Sequence, residues 1–533
     1  MEILLRFILI TVKVVALCIY PLQCVLAYLR PRSATRLPSI RDPLLTLSVR
    51  DLRNKLKARQ LSSVDLVNAY IKRIEDVNPK LNAVVEDRFK TALQEARSID
   101  KRIWEHAGHA DELFKEFPLL GMPFTIKESC ALAGMSFAVG STVRSHIRAD
   151  ADGTVVARLR AAGAIPLLVS ATPEYCYSVE TDTLQNRRCC NPYDLERSAG
   201  GSSGGEGALN GAGASVFGVG SDIGGSIRIP SLNCGIFGHK PTGGVVSTTG
   251  HFPTSTDEDF KQYLQLGPMS RFATDLTELL ELMVGENLDK LLPAVQLNRA
   301  KVYYAMGFEG LNGLMHQSVN ADIKGVLRKG LDHLKSLGLP VKHARLPGMQ
   351  NSLEIALSGI ARLENMSYLM NKDGTLAKTL LEFLRSFLGL SKHTTNALIF
   401  ELMRRANAFM PLQQVSKYRE EALALTEKFT QLLGKDGVFI FPTMHMPASC
   451  PKWWTLLPLW GVDYTLIWNI LGLPATHVPM GLNAKGLPIG FSVIAGPYQD
   501  RLCINVAMEL ERAFGGWQPP TPHNFNEQQH AQT

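Results

Sequence analysis

The sequence predicts one large α/β domain with a mixed sheet, preceded by an apolar amino-terminal helix. Short strand-like runs alternate with amphipathic helical segments, which is the pattern of an α/β domain. Hydrophobic residues make up 45% of the 533 positions and charged residues 20%, a balance typical of a folded globular protein. No internal repeat divides the chain. A single domain is therefore the economical interpretation.

Residues 1–30 predict a membrane anchor. Phe7 to Leu29 form a predominantly apolar run of 23 residues, long enough for one helix across a bilayer. Lys13 and Pro21 within it also allow an interfacial or hairpin-like anchor. A cleaved signal peptide is the alternative, since Val25–Ala27 forms an acceptable cleavage site. We expect the segment to be retained, because the apolar run is long for a signal peptide.

Charges on either side of the anchor predict its orientation. Only Arg6 precedes the apolar run, whereas the arginines that follow it are Arg30, Arg32, Arg36 and Arg41. The positive-inside rule then places the body in the cytosol. We expect the anchored membrane to be the endoplasmic reticulum or a lipid droplet, although charge alone does not select it. The unpaired cysteines agree with a cytosolic body. The sequon Asn365-Met366-Ser367 favours the opposite topology, but such triplets often arise by chance, so a cytosolic body is our expectation.

Composition argues against several classes of function. The formal net charge of +7 comes without a dense Lys/Arg stripe, so we expect no nucleic-acid partner. The nine cysteines include no C-x-x-C pair and the 13 histidines include no H-x-x-x-H pair. We therefore expect neither a disulfide framework nor a metal site.

The body begins after a polar connector at 31–44 and predicts a domain over 45–515, followed by a polar tail at 516–533. Ser62 and Asp65 resemble a capping box at the start of a first helix. The other expected elements are helices at 89–103, 154–162 and 502–514, and strands at 122–127, 165–170, 438–441, 476–481 and 489–495.

An unusually apolar helical region lies between these elements. It contains two stripes at helical spacing: Leu380, Leu384, Phe387 and Leu388, then Leu398, Phe400 and Leu402. Such stripes are typical of a buried core, which is our first interpretation. The second interpretation is a hydrophobic rim that meets lipid or admits an oily substrate. The aromatic cluster Lys452–Trp460 fits either one.

Two glycine- and serine-rich stretches carry candidate chemistry: "SAGGSSGGEGA" at Ser198–Ala208 and "GSDIGGSIRIPS" at Gly220–Ser231. The first matches G-x-S-x-G, but polar, turn-like residues precede it where a nucleophile elbow requires a strand. In the second, Ser226 follows a credible buried strand at 214–220. The preceding Ile223, Gly224 and Gly225 can turn successive backbone N–H groups towards one point, as an oxyanion hole requires.

Lys127 is the candidate base for a serine nucleophile. A serine hydroxyl needs a base, and His239, the one histidine near either stretch, fits a structural role. Lys127 ends an apolar strand, where burial favours the neutral amine that accepts a proton. A lone lysine is more often a surface residue, so this interpretation depends on its combination with the two downstream stretches.

That combination resembles the amidase signature family. The motifs are "GMPFTIKES" around Lys127, "GGSSGGEGA" around Ser202 and "GSDIGGSIRIP" around Ser226, in that order, continuing into "CGIFGHKPTGG". The resemblance implies a mixed, twisted central sheet flanked by helices, no cofactor, and a Ser-Ser-Lys triad. In it, Ser226 is the nucleophile, Lys127 the base, and Ser202 the bridging serine, which follows a cis peptide bond. The oxyanion donors would be the N–H groups of Ile223, Gly224, Gly225 and Ser226.

With its apolar amino terminus, the chain is similar within that family to the membrane-bound fatty-acid amide hydrolases, most closely those of type 2. This resemblance implies hydrolysis of fatty-acid primary amides and N-acyl ethanolamides to fatty acid and amine through an acyl-enzyme. The implied partners are a lipid amide, a membrane or lipid-droplet surface, and a second copy in a homo-oligomer. The alternatives are an amidotransferase-type glutaminase/amidase subunit and an inactive membrane-tethered scaffold.

Overall fold

The computed structural model describes residues 36–309, 316–345, 348–363, 365–370, 374–406, 412–449 and 461–523. The expected anchor at 1–30, the cluster Lys452–Trp460 and the tail beyond residue 523 lie outside these residues. Within the described ranges, no helix combines the length and the apolar character needed to cross a bilayer.

The described chain alternates strands and helices along its length. The helices are α1 (Val49–Lys57), α2 (Ser63–Leu81), α3 (Phe89–Glu105), α4 (Ala110–Glu116), α5 (Thr154–Ala161), α6 (Gly204–Gly211), α7 (Arg228–Cys234), α8 (Glu258–Tyr263), α9 (Ala273–Val284), α10 (Ala321–Ser336), α11 (Ser352–Ala361), α12 (Leu376–Phe387), α13 (Thr395–Arg405), α14 (Leu412–Leu433), α15 (Asp463–Ile470) and α16 (Asp500–Phe514). The strands are β1 (Val84–Asp87), β2 (Pro123–Lys127), β3 (Ile165–Ser170), β4 (Asp182–Thr183), β5 (Arg187–Arg188), β6 (Phe217–Asp222), β7 (Phe237–Lys240), β8 (Gln265–Ser270), β9 (Lys301–Tyr304), β10 (Val341–His343), β11 (Gly437–Phe441), β12 (Ala475–Leu482) and β13 (Pro488–Ala495).

Eleven of these strands form one mixed sheet in the order β1-β3-β2-β6-β8-β7-β12-β13-β11-β9-β10. The β3-β2-β6 and β11-β9-β10 neighbours are parallel, and the other pairs are antiparallel. The mixed-sheet α/β fold predicted from the sequence is thus confirmed. The predicted boundaries of the domain at 45–515 stay a prediction.

The centre of the sheet is covered on both faces. Strands β2, β3, β6, β8 and β11 are buried at every residue. Apolar side chains fill the space between neighbours, as where the rings of Phe124 and Phe217 stack at 5.3 Å between centroids. A sheet buried in this way gives rigid support to side chains at the ends of its strands.

Strand β6 differs from its prediction at both ends. It begins at Phe217, three residues later than expected, because the Ser215 hydroxyl donates to the Phe217 carbonyl at 2.7 Å and forms a local turn. It continues to Asp222 because Ser221 and Asp222 pair with Leu266 and Gln265 of β8. Two polar residues therefore lie inside a buried strand.

The stripe on α12 is not core, so our first interpretation of it was wrong. The exposed fractions of Leu380, Leu384, Phe387 and Leu388 are 48, 54, 65 and 74%. Leu398 on α13 is buried, so the core interpretation holds for that residue. The two helices pack against each other, and their connection is fastened to the body by Glu174, whose carboxylate accepts from His393 Nδ1 at 2.8 Å and from the Thr394 N–H at 2.7 Å.

Candidate active site

The candidate site begins where two parallel neighbours, β2 and β6, end at the same edge of the sheet. Thr125 lies opposite Gly218 and Ile126 opposite Val219, which brings Lys127 and Ser221 together just beyond. Lys127 is 0% exposed. A lysine is rarely buried unless its amino group has partners, so these partners define the site.

The Lys127 amino group contacts only uncharged oxygen atoms among its described hydrogen-bond partners. Its Nζ lies 2.7 Å from Ser202 Oγ, 2.9 Å from Ser221 Oγ and 3.4 Å from the Ser221 carbonyl oxygen. Ser129 Oγ lies 3.4 Å from Ser221 Oγ and extends this set of hydroxyls. No described carboxylate hydrogen-bonds to this amino group, so its contacts are those of a lysine surrounded by hydroxyl and carbonyl oxygens.

Ser202 lies in a loop whose backbone is closely packed. Residues 189–203 contain no strand, so the G-x-S-x-G match there is not a nucleophile elbow. Gly200 has φ of +87°, and the Gly201–Ser202 peptide is cis. A side chain on Gly201 would place Cβ 2.8 Å from the Glu180 amide nitrogen. The glycines of this stretch therefore permit close approach of backbone segments, and the stretch is not a flexible tether.

The two glycine- and serine-rich stretches meet at the site. The Ser203 N–H donates to the Ser226 carbonyl at 3.1 Å, which places residue 226 beside the peptide that follows Ser202. Ser226 is partly exposed, and its hydroxyl makes no hydrogen bond with any described residue. The structure thus brings Lys127 and Ser202 into direct contact, with Ser226 nearby and open to an incoming group.

Asp222 organises the loop that carries Ser226. Its carboxylate accepts from the Gly225 N–H at 2.7 Å and from the Ile227 N–H at 3.1 Å. Arg228 donates to both carboxylate oxygens at 3.0 Å, with both side chains fully buried. Burial alone would raise the pKa of Asp222, but the Arg228 guanidinium and these hydrogen bonds hold that pKa well below its usual range. The loop is therefore held by a charged carboxylate.

This arrangement changes the set of candidate oxyanion donors. The Gly225 N–H is already bonded to Asp222, because the carboxylate three residues earlier lies within its reach. The N–H groups of Ile223, Gly224 and Ser226 make no hydrogen bond with a described residue. The Gly224 carbonyl accepts from Thr465 Oγ1 at 2.7 Å, which helps to fix the peptide. Three of the four donors predicted from the sequence remain available.

Sequence reasoning missed two residues at this site, Ser221 and His251. His251 Nε2 lies 2.9 Å from Ser221 Oγ, and its Nδ1 lies 2.9 Å from the Pro253 carbonyl. The end of a buried strand beside Lys127 was a usable signal for Ser221, whereas no sequence pattern pointed to His251. His239, which we expected to be structural, is buried and bonded to Thr476 and Asp500.

The chain is similar to known proteins over most of its length. The family model described as Amidase matches residues 65–504. Fatty-acid amide hydrolase 2-A of Danio rerio is 40% identical over 498 residues, which cover 91% of this chain and 92% of that protein. Fatty-acid amide hydrolase 2 of Homo sapiens is 39% identical over 506 residues, covering 92% and 93%. A solved structure of a fatty acid amide hydrolase shares the fold, with a TM-score of 0.72 at 20% identity over 90% of this chain and 87% of that chain.

Proposed function

The chain belongs to the amidase signature family and is an amide hydrolase, and on that premise we propose that it cleaves fatty-acid primary amides and N-acyl ethanolamides. The products are a free fatty acid and ammonia or an amine. The substrate class is supported by the names of the fatty-acid amide hydrolase 2 relatives at 39–40% identity. The chemistry is supported by the site itself.

One observation carries the proposed chemistry: the 2.7 Å contact between Lys127 Nζ and Ser202 Oγ inside a buried set of hydroxyls. An amine in that place can take a proton from a hydroxyl without first losing a water shell. Ser202 in turn lies beside Ser226 through the Ser203–Ser226 backbone contact. These three residues supply a base, a bridging hydroxyl and an accessible nucleophile.

In the proposed cycle the Lys127 amine takes the proton of Ser202 while Ser202 takes the proton of Ser226. Ser226 Oγ attacks the amide carbonyl carbon and forms a tetrahedral intermediate. The proton then returns through Ser202 to the leaving nitrogen, the C–N bond breaks, and the amine departs. Water, deprotonated by the same relay, hydrolyses the acyl-enzyme and releases the fatty acid.

The developing oxyanion is assigned to the N–H groups of Ile223, Gly224 and Ser226. Donors that are fixed before the reaction stabilise this charge without reorganisation, which is worth about 2.7–4 kcal/mol for one donor. The buried Asp222–Arg228 pair supplies that rigidity, because Asp222 accepts hydrogen bonds from two backbone N–H groups in the 223–227 segment. Asp222 and Arg228 are thus positioning residues in this proposal.

We further propose that the protein acts at a lipid surface. The apolar helix face, defined here as the exposed side chains Leu376, Leu380, Leu381, Leu384, Phe387, Leu388 and Leu390, lies on α12 and just after it. The exposed Lys378 and Lys392 lie near it and suit anionic headgroups. This face would deliver oily substrate from lipid, with the segment 1–30 as a separate anchor and the body in the cytosol.

Incubation of the purified full-length protein with a long-chain primary amide and an N-acyl ethanolamide tests the proposed substrates. We expect equimolar release of fatty acid and amine, together with covalent labelling by a fluorophosphonate probe that Ser226→Ala abolishes. Copurification with partner subunits and glutamine as the hydrolysed amide would favour the amidotransferase alternative. Absence of both labelling and hydrolysis in the unmutated protein would favour the inactive scaffold.

A further inference from the structure

A polar chain extends from Lys127 away from Ser202, through Ser221 to His251 and the Pro253 carbonyl. From this geometry we propose that His251 is a positioning residue, which acts through Ser221 to direct the lone pair of the Lys127 amine at Ser202. The inference rests on the proposed function, because it assigns a role within the same proton relay. His251 itself touches neither Ser202 nor Ser226 among its described hydrogen bonds.

The direction of each hydrogen bond in this chain follows from one fixed acceptor. A carbonyl oxygen only accepts, so at the 2.9 Å contact with Pro253 the proton is on His251 Nδ1. In the neutral ring Nε2 is then an acceptor, and the Ser221 hydroxyl donates to it at 2.9 Å. Ser221 Oγ has no second proton, so towards Lys127 it accepts.

This polarity decides how the Lys127 amine is oriented. A neutral amine has two N–H groups and one lone pair. Ser221 offers acceptors for both N–H groups, its Oγ at 2.9 Å and its carbonyl at 3.4 Å. The lone pair is therefore left to face Ser202 Oγ at 2.7 Å, and the Ser202 hydroxyl donates its proton to it. Without His251, the Ser221 hydroxyl is free to turn its own proton to that lone pair and compete with Ser202.

The surroundings keep His251 in place and neutral. The Ala131 N–H donates to the Gly250 carbonyl at 2.8 Å, and the Phe252 N–H donates to the Ser129 carbonyl at 2.9 Å, so the backbone on both sides of the ring is paired. Burial lowers the pKa of His251 to about 3.

The other titratable groups facing this chain are buried as well. Burial raises the pKa of Glu206 to about 7 and that of Cys130 to about 12. The raised pKa values favour the uncharged forms of Glu206 and Cys130, and an uncharged group does not stabilise the imidazolium form of His251.

Two substitutions of His251 test this role. H251Q keeps an acceptor, the amide oxygen, within reach of Ser221, whereas H251L keeps bulk and removes the acceptor. We expect H251L to lower kcat for a fatty amide about 10- to 100-fold with little change in KM. The loss for an aryl ester of the same acyl chain should be smaller, because its leaving group needs no proton from the relay. H251Q should restore most of the amide turnover.

A matched control separates this effect from a general loss of packing. His477 is also fully buried and also bonded to a hydroxyl, Thr443 Oγ1, at 2.7 Å, but that hydroxyl makes no described contact with Lys127. His477→Leu should leave the amide-to-ester ratio of kcat unchanged. If H251L does not fold, Ser221→Ala removes the Oγ acceptor that orients one Lys127 N–H group, and we again expect a selective loss of amide turnover.

The outcomes distinguish this inference from the proposed function. If the unmutated protein hydrolyses fatty amides but H251L loses amide and ester turnover equally, or loses neither, His251 is not a positioning residue. The role of His251 would also be overturned if Ser221→Ala and the unmutated protein had the same amide-to-ester ratio of kcat. If the unmutated protein hydrolyses no amide, the proposed function fails first, and this inference with it.

Discussion

Two regions of the molecule invert the usual distribution of side chains. Around Lys127, which is 0% exposed, an amino group, several hydroxyls and an imidazole are buried together. On the apolar helix face, by contrast, Phe387 and Leu388 are 65 and 74% exposed. Buried polar groups are stable only when each has a partner, and exposed apolar groups cost free energy unless a partner covers them.

Under the proposed function, the comparison teaches that the two regions have separate roles, one in chemistry and one in contact with lipid. In the polar region the Lys127 amino group is held by described residues of the chain itself. The apolar helix face depends on what covers it, which we propose to be lipid. Changes in the first region should therefore alter chemistry and stability, whereas changes in the second should alter location only.

The largest effect is expected from Lys127→Ala. The amine must leave with a proton that comes through Lys127 and Ser202, so amide turnover should fall about 10²–10⁴-fold, and turnover of the matched aryl ester by less. Parallel kinetics on an amide and an ester with the same acyl chain measure this.

Lys240 provides the matched control for this prediction. It is also fully buried, donates to the Pro241 carbonyl at 2.6 Å, and has a pKa that burial lowers to about 7. Lys240→Met should affect amide and ester equally. An equal loss on both substrates for Lys127→Ala would instead mean that Lys127 is structural.

The next effect is on stability at the polar region. Asp222→Asn leaves the Arg228 guanidinium buried without a carboxylate, which should lower the free energy of unfolding by about 3–5 kcal/mol. Asp194→Asn breaks the ion pair with Arg197, in which both side chains are only partly buried, and should cost only about 0–1 kcal/mol. Urea unfolding of both variants measures the difference; similar values would contradict the role given to the buried pair.

A smaller effect should appear in the pH dependence of stability. Burial raises the pKa of Glu206 from 4.5 to about 7, so the fold binds this proton more tightly than the unfolded chain does. The stabilisation is present below pH 4.5 and is lost as the pH rises through about 7. Glu206→Gln should therefore flatten the fall in unfolding free energy across that window.

Chemical unfolding at several pH values between 4 and 8 checks this prediction for Glu206. Glu105→Gln, at an exposed position on α3, should leave the pH curve as it is in the unmutated protein. An unchanged curve for Glu206→Gln would show that this carboxyl is not the group that titrates.

The smallest effect is expected at the apolar helix face. Replacing Leu380, Leu384 and Phe387 by Gln should reduce binding to vesicles of mixed neutral and anionic lipid by about tenfold, without lowering the melting temperature. These side chains are exposed, so the fold loses little packing. Leu423→Gln, at another exposed leucine on α14, is the control. A drop in melting temperature without a change in vesicle binding would show that these side chains stabilise the fold and do not bind lipid.

Local patterns in the sequence predicted much of the fold and pointed to three candidate site residues, whose roles stay a prediction. The strand at 165–170 was predicted at its observed bounds, and the motifs around Lys127, Ser202 and Ser226 lie where the sheet brings them together. Short-range periodicity and glycine-rich motifs carry that information because strands and tight turns depend on neighbouring residues.

Contacts between distant parts of the chain could not be predicted in the same way. His251 is hydrogen-bonded to Ser221, which lies 30 positions earlier in the chain. The Asp222 carboxylate accepts from the Gly225 N–H only because of the local backbone conformation, which the amino-acid composition does not predict. The stripe on α12 was misjudged because helical spacing is the same whether an apolar face meets core or solvent. In both cases the partner, and not the local pattern, decides the outcome.

The most direct test of the account is to locate the covalent adduct that a fluorophosphonate probe leaves on the full-length protein. Digestion and mass spectrometry should find one phosphonyl group, on Ser226, and Ser226→Ala should be unlabelled and inactive on fatty amides. An adduct on Ser202, Ser203 or Ser221 would contradict the account. So would a Ser226→Ala variant that retains even a tenth of the amide kcat, a change of only ~1.4 kcal/mol in the barrier.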